Sequence, residues 1–473
     1  MRTLIIAIIV LITFNGYAQK HTKEVLKQLD AKTSFYGDIA HSIWEYAEMG
    51  YKEVKSVALL QKTLSDEGFK ITSGVADMPT AFIAEYGSEG PVIAILGEYD
   101  ALPGLSQQAV SEKKSAGGAA GHACGHHLFG TASAAAAISV KNWLEKTNTK
   151  GIIRFYGCPA EEGGSGKVYM TRAGLFNDVD VALHWHPSSV NASNPGAALA
   201  NKSAKFRFYG VSAHAAGAPE RGRSSLDAVE SMNYMVNMMR EHIPQEARIH
   251  YVITDGGKAP NVVPNFAEVY YYARHNNRNI VIDIFDRIIN AAKGAALGTD
   301  TKMEFEMIGG THELLPNLTL QKVMYKNLTN IGGYEFNADE RKFAEEISTS
   351  LGQKELNTAY TNGVSPYTEN ARAYGSTDVG DVSFAVPTVG MGAATWVPGT
   401  PAHSWQAVAA GGTSIGTKGM MIAAKALTAT TIELFTNTKI IEEAKTEFMN
   451  RRGADFKYIP LLGDRKPALN YRD

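Results

Sequence analysis

The chain has 473 residues, of which 44% are hydrophobic and 20% charged, and its formal net charge is −2. This length exceeds that of one ordinary domain, and the composition is that of a globular enzyme. The isoelectric point of about 6.7 indicates no strongly basic face, which argues against nucleic acid as a partner.

The N-terminal residues predict a secretory signal peptide. Arg2 precedes an apolar run over residues 4–14, and the small residues Gly16 and Ala18 mark a cleavage site after Ala18. The run is shorter than the ~20 residues that a membrane span needs, and an uncleaved anchor is the less favoured alternative. We therefore expect residues 1–18 to be removed and the enzyme to be exported, periplasmic or secreted, with no membrane partner.

The first part of the chain alternates between helix and strand patterns. We predict helices over 24–29, 36–48 and 131–145, and strands over 92–96, 152–156 and 179–183. Strands that alternate with helices indicate an α/β fold whose mainly parallel sheet is covered on both faces. A further helix is predicted near the end of the chain, over 417–435.

Residues 202–312 have a different pattern. Strands are predicted over 203–209, 248–254, 267–274 and 302–308, and helices over 226–242 and 280–297. The order βαββαβ is that of the ferredoxin-like arrangement. We therefore predict an inserted α+β domain that divides the first domain into two parts, 19–201 and 313–473.

Residues with metal-ligand character follow three predicted strands, where open α/β sheets bind their ligands. They are Glu98 and Asp100, Glu161 and Glu162, and His184 and His186, and further candidates are Cys124, His126 and His403. Taken singly, each signal is weak, because such pairs are more often incidental, solvated or buried in a core. Together they offer the thiolate, imidazole and carboxylate groups that bind zinc or manganese.

The number of these residues exceeds what one cation needs, which favours two ions that share a bridging water. Adjacent side chains that leave a strand point apart, so we expect one of Glu161 and Glu162 to bind metal and the other to act as a general base. A single disulfide between Cys124 and Cys158, the only two cysteines, is the less favoured use of Cys124.

Eight motifs in order resemble the aminoacylase/carboxypeptidase family of dinuclear metallohydrolases, and most closely its amidohydrolase branch. They are GEYDALPGLSQ, GHACGHHLFGTA, RFYGCPAEEGGSGK, LHWHP, GVSAHAA, PNVVP, STDVGDVS and TPAHSWQ. The resemblance runs from about residue 25 to the C-terminus. The resemblance implies two divalent ions in each protomer, zinc or manganese. It also implies a homodimer through the inserted lid domain, and a second related subunit is the alternative partner.

The implied activity is hydrolysis of the amide bond in N-acyl or N-aroyl amino acids, foremost p-aminobenzoyl-glutamate. A dipeptidase or aminoacylase of the same family is the near alternative, and a metal-bound binding module without catalysis is the distant one. The relatives that the motifs resemble are cytoplasmic, so the predicted signal peptide is a departure that points to an extracellular substrate.

The resemblance also assigns roles to individual residues. Its metal ligands are Cys124 as the bridge, with His126, Glu162, His186 and His403. Glu161 matches the general base, Asp100 an aspartate that supports the metal shell, and His214 a histidine that stabilises the oxyanion, often across a dimer. Asn261 and Arg274 match positions that hold the substrate carboxylate.

Three positions depart from the family pattern. Glu98 stands where other branches have a metal-binding histidine, and His127 replaces the usual Asn or Asp. His184 falls where the closest relatives have other residues. Whether Glu98 or His184 contacts metal therefore stays open.

Overall fold

The protein is described here by a computed structural model that covers residues 21–196, 198–369 and 375–473. The predicted signal peptide, residues 1–18, lies outside these ranges. Within them, no helix is both long enough and apolar enough to cross a bilayer.

The described residues form twelve strands and fourteen helices. The strands are β1 (Lys70–Ser73), β2 (Phe82–Gly87), β3 (Val92–Gly97), β4 (Leu102–Pro103), β5 (Ala120–Gly121), β6 (Ile152–Gly157), β7 (Val181–Ser188), β8 (Ala200–Tyr209), β9 (Arg248–Asp255), β10 (Phe266–His275), β11 (Lys302–Thr311) and β12 (Thr388–Ala394). The helices are α1 (21–31), α2 (Thr33–Tyr46), α3 (Val54–Asp66), α4 (His126–Thr147), α5 (Gly166–Arg172), α6 (Ser225–Met239), α7 (Arg278–Thr299), α8 (Leu318–Ile331), α9 (Ala338–Ser350), α10 (Ala359–Asn362), α11 (Val379–Ala385), α12 (Trp405–Gly411), α13 (Ser414–Thr436) and α14 (Lys439–Arg452).

The central sheet has six strands in the order β1-β2-β6-β3-β7-β12. Strands β6, β3, β7 and β12 are parallel, whereas β1 and β2 form an antiparallel edge. Every residue of β3 is buried, because helices cover both faces of the sheet. The predicted mainly parallel α/β domain is confirmed.

A second sheet of four antiparallel strands has the order β11-β8-β10-β9. Helices α6 and α7 pack on it and form a separate hydrophobic core with residues such as Phe206, Tyr271 and Phe285. The chain enters this unit at β8 and leaves it at β11, between β7 and α8. The predicted ferredoxin-like insertion in the α/β fold is confirmed.

The end of β7 differs from its prediction more than any other strand end. The sequence predicts a strand that stops at residue 183, but β7 continues to Ser188. Strand β12 pairs with it in parallel as far as Ser188, so the backbone of the His-Trp-His motif is part of the sheet. The two histidines, one on each side of a buried tryptophan, interrupt the apolar run and so suggest that the strand ends before them. Polar residues at every second position are nevertheless compatible with a continuing strand.

Candidate metal centre

Three groups of metal-ligating side chains lie at the carboxyl end of the parallel strands, and within each group the ligand atoms are within 4.8 Å of one another. The first group is Cys124, His126 and His186, the second is Cys124, Glu162 and His403, and the third is Glu98, His126 and Glu161. The first two groups contain all five predicted ligands and share Cys124. This thiol therefore stands where one sulfur could contact two cations.

His184 belongs to none of these groups among the described residues. Its ring lies over Gly390 of the neighbouring strand β12, where an added Cβ would come within 2.2 Å of His184 Nε2. The space that this ring needs explains the glycine opposite it and gives His184 a packing role.

A glycine brings the Cys124 loop close to β7. Gly125 has φ 76°, and a Cβ there would lie 2.6 Å from Pro187 Cβ. This close approach leaves Cys124 Sγ 3.3 Å from His186 Nε2, and helix α4 begins at the next residue, His126.

Asp100 connects the ring of His126 to the loop that carries the paired glutamates. Its Oδ1 atom lies 2.8 Å from His126 Nδ1, and its Oδ2 atom accepts a hydrogen bond from the Glu162 amide at 2.9 Å. A carboxylate on one ring nitrogen orients the other nitrogen toward a metal and raises its basicity. His126 Nε2 therefore remains to face the two groups that His126 belongs to, the first and the third.

Unpaired buried atoms test whether these residues fit a cation. Glu98 Oε2 lies 3.0 Å from His126 Nε2, and Glu162 Oε1 lies 3.0 Å from His403 Nε2. Within the described chain, Glu98 Oε2, His126 Nε2 and Glu162 Oε1 nevertheless make no hydrogen bond. An unsatisfied buried polar group costs about 1–3 kcal/mol, so such atoms need a partner. Thiol, imidazole and carboxylate donors that converge in this way fit divalent metal ions.

The pKa shifts of two residues in the site agree with metal binding and proton transfer. Burial, with help from His126, lowers the pKa of His186 to about 4, so its imidazole is neutral at neutral pH and can act as a ligand. Burial raises the pKa of Glu161, and the neighbouring carboxyls of Glu98 and Glu162 raise it further. A carboxyl with a raised pKa is suited to take and return a proton near neutral pH.

The loop that carries Glu161 and Glu162 has unusual backbone geometry. Ala160 and Ser165 lie in the left-handed region, with φ 55° and 61°. The fully buried Glu53 accepts a hydrogen bond from the Ala160 amide at 2.8 Å, and burial raises the pKa of Glu53 to about 8. No pattern in the sequence marks Glu53, because its partner is 107 residues away.

A buried lysine that was not predicted from the sequence lies beside the site. Lys167 Nζ lies 2.6 Å from Glu98 Oε1 and 2.7 Å from Asp378 Oδ1, and all three side chains are at most 1% exposed. Lys167 and Asp378 lie in two of the motifs that carry the family resemblance, EEGGSGK and STDVGDVS, so a signal was present. The two motifs are 211 residues apart in the chain, and only the fold brings Lys167 and Asp378 into contact.

The three residues predicted to contact substrate lie in the inserted unit. His214 forms an isolated bridge with Val262, and the Ala215 amide donates to the Asn261 carbonyl at 3.0 Å. Arg274 lies on β10, with its guanidinium 5.3 Å from the ring centre of Tyr272. No hydrogen bond or ion pair within the described ranges joins His214, Asn261 or Arg274 to the metal-ligating groups.

His127, which departs from the family pattern, has a structural partner. Its Nε2 atom donates to the Gly411 carbonyl at 3.0 Å.

The two cysteines are not joined by a disulfide. Cys124 and Cys158 are both free and buried. The disulfide alternative is therefore wrong.

Comparisons with known proteins agree with this geometry. Residues 94–408 match the model of peptidase family M20/M25/M40. The chain is 44% identical to the B-type subunit of p-aminobenzoyl-glutamate hydrolase from Escherichia coli (strain K12), over 93% of this chain and 97% of the relative. The A-type subunit of that hydrolase is also a relative, 28% identical over 49% of this chain and 55% of its own length.

Two further proteins are similar along most of their length. The Xaa-Arg dipeptidase of Mus musculus is 28% identical, over 90% of this chain and 91% of that protein. A solved Bacillus subtilis structure, described as a dinuclear metal binding peptidase from the M20 family, superposes with a TM-score of 0.54 at 18% identity, over 84% of this chain and 98% of its own. At that identity the superposition shows a shared fold.

Proposed function

The chain belongs to peptidase family M20/M25/M40, and we propose that it hydrolyses p-aminobenzoyl-glutamate to p-aminobenzoate and glutamate. The observation that carries the proposal is the pair of ligand groups that share Cys124, with Glu161 beside them. The similarity to the Escherichia coli B-type subunit over nearly the whole chain supports this choice of substrate. The family resemblance drawn from the eight motifs is confirmed by the match over residues 94–408.

Two divalent ions, zinc or manganese, are part of the proposal. Cys124 would bridge them, with His126 and His186 on one side and Glu162 and His403 on the other. Ions bound there supply a water of lowered pKa and polarise the amide carbonyl. The thiolate favours zinc, while the carboxylates also suit manganese.

In this proposal the protein itself supplies the proton transfers. Glu161 removes a proton from the attacking water and delivers it to the amide nitrogen as the C–N bond breaks. Its half-buried carboxyl, with a raised pKa, supports that cycle. Asp100 keeps the His126 ring oriented throughout, because it holds the opposite ring nitrogen.

His214 is proposed as a donor to the oxyanion, and Asn261 and Arg274 as partners of the substrate carboxylate. His214 and Asn261 are exposed in this single chain and make no contact with the metal-ligating groups in the described ranges. A second copy of the chain, or closure of the inserted unit, must therefore bring such groups to the substrate.

We propose that the edge of the inserted sheet forms a homodimer. Strand β9 has a neighbour on one side only, and its side chains Tyr251, Val252 and Ile253 are 37%, 56% and 40% exposed. An exposed apolar edge strand readily pairs with another strand. A related second subunit is the alternative occupant, since both subunits of the Escherichia coli hydrolase are relatives.

Replacement of Val252 and Ile253 by lysine is expected to convert the dimer into monomers, because two buried charges would face their own copies across the edge. Light scattering measures the mass. The control is Leu297→Lys, which changes an 87% exposed apolar residue on α7, outside this edge. A wild-type monomer, or an unchanged mass in the double variant, would count against this interface.

We also propose that the protein is exported and that its mature form begins after Ala18. The activity is tested with purified protein of that form. We expect release of p-aminobenzoate from p-aminobenzoyl-glutamate with Zn²⁺ or Mn²⁺, and its loss with a chelator, because the ligand groups need their cations. Dipeptides and N-acetyl amino acids are assayed beside it.

Three other outcomes have distinct meanings. Preferred cleavage of a dipeptide or N-acetyl compound keeps the mechanism and changes the substrate. Release that continues after complete removal of metal contradicts the mechanism. No turnover on any compound with two ions bound supports the non-catalytic binding module, unless addition of a protein related to the A-type subunit restores activity.

A further inference from the structure

The segment that follows α14 lies across the molecule from the inserted unit to the metal centre. We call residues 456–473 the strap. It has no helix or strand of its own, and its two ends contact different parts of the fold. No pattern in the sequence marked it as part of a site.

The first half of the strap covers the end of β11, where the inserted unit rejoins the first domain. His312 Nε2 donates to the Ile459 carbonyl at 3.0 Å, and Arg465 Nη1 donates to the Met307 carbonyl at 2.9 Å. A Cβ at Gly310 would lie 2.7 Å from the strap backbone at Leu461. This part of the strap is therefore packed tightly against the junction.

The second half of the strap reaches the loop of the paired glutamates. Tyr471 Oη donates to the Glu162 carbonyl at 3.1 Å, and Arg472 Nη2 donates to the same oxygen at 2.5 Å. The Tyr471 ring lies edge-on to Tyr51, with ring centres 5.6 Å apart, and Tyr51 Oη donates to the Gly164 carbonyl at 2.7 Å. The loop is thus held at two of its carbonyl groups.

These contacts fix both ends of one residue's backbone. The Glu162 amide donates to Asp100, which also holds the ring of His126, and the Glu162 carbonyl accepts from Tyr471 and Arg472. The loop lies between left-handed residues at Ala160 and Ser165, outside any regular element. Its carboxylates therefore depend on outside contacts for their position.

We infer that the strap positions the paired glutamates for amide hydrolysis, with Tyr471 and Arg472 as positioning residues that act through the Glu162 carbonyl. This inference rests on the proposed function. Without these two donors, the loop moves away from Cys124, and the general base and one ligand move with it. A displacement of ~1 Å at reacting groups can lower a rate by about 10²-fold.

The test compares four variants with the wild type. They are Tyr471→Phe, Arg472→Lys, the double variant Tyr471→Phe/Arg472→Ala, and Lys466→Ala as a control on the exposed side of the strap. We measure kcat and KM for p-aminobenzoate release, Zn²⁺ affinity by titration into metal-free protein, and the midpoint of thermal unfolding.

The double variant is expected to lose about 10²-fold in kcat with KM nearly unchanged. Its Zn²⁺ affinity is expected to fall about 10- to 100-fold at one of the two sites, as when support of a ligand is lost. Arg472→Lys keeps a donor and should recover most of both losses, and Lys466→Ala should behave as the wild type.

Wild-type kcat and Zn²⁺ affinity in the double variant would overturn the inference. If the double variant unfolds, the single variant Tyr471→Phe decides: the inference predicts a lower Zn²⁺ affinity, whereas a merely structural strap would lower stability without a change in Zn²⁺ affinity. An inactive wild type that still binds Zn²⁺ would contradict the proposed function, while the titration would still test the strap.

Discussion

Glu161→Ala is expected to abolish nearly all turnover while both metal ions stay bound. A positioned general base contributes about 10²- to 10⁴-fold to a rate. Glu161 is one of two carboxylates that form a ligand group with His126 but belong to neither group that shares Cys124. The measurement pairs kcat/KM for p-aminobenzoate release with metal content by elemental analysis. A rate within about tenfold of wild type would show that Glu161 is not the base.

The adjacent glutamate provides the matched control for that experiment. Glu162→Ala should lose metal as well as activity, because Glu162 lies with Cys124 and His403 in one ligand group. Glu161 itself lies near Glu98 and His126. If Glu161→Ala instead loses one ion, the residue is a ligand, and Glu98, the other carboxylate of that group, becomes the candidate base.

Strands of both sheets could be predicted because the pattern of apolar and polar residues indicates which of their faces are buried. The fully buried β3 appears as a continuous apolar run, and the inserted unit alternates apolar and polar residues along strands that are buried on one face. The end of β7 could not be predicted in the same way. Its pairing with β12 is formed across about two hundred residues, and two histidines in it conceal the strand pattern.

Glu162 and His186 meet because the parallel strands β6 and β7 end at one edge of the sheet. The start of α4 and the loop before α12 bring Cys124, His126 and His403 to the same edge. The residues that hold those ligands are not placed by the strand ends. Glu53, Lys167 and the strap act on the site through contacts with distant segments. Whether a charged side chain is buried depends on contacts between segments that are far apart in the chain. Those contacts cannot be read from a single sequence.

Lys167 is expected to be among the least replaceable residues for stability. Its ammonium group is fully buried between the carboxyls of Glu98 and Asp378, which are themselves at most 1% exposed. Loss of one partner from such a buried network costs about 3–5 kcal/mol, since the remaining charges stay out of water without compensation. Lys167→Met should therefore lower the free energy of unfolding of the metal-free protein by about that amount, as measured in urea.

Lys141→Met is the matched control. Lys141 is mostly buried but pairs with the more accessible Glu67 and Glu145 at 3.7 and 3.3 Å, so its loss should cost under about 1 kcal/mol. A similar small loss in Lys167→Met would mean that the network contributes little. Addition of Glu98→Gln to Lys167→Met should recover part of the loss, because one uncompensated carboxylate is removed.

The pH dependence of the stability of Lys167→Met provides an independent test of the buried charge network. Burial raises the pKa of Glu98, and Lys167 opposes that shift; burial likewise raises the pKa of Asp378 against Lys167. Without the lysine both carboxyls should titrate higher in the folded state than in the unfolded chain, so the folded state binds protons more tightly. Stability is then retained below the unfolded pKa values and lost as pH rises through the folded ones. Lys167→Met should therefore be closest to wild-type stability in acid and furthest from it near neutral pH, whereas a pH-independent deficit would indicate lost packing in place of lost charge.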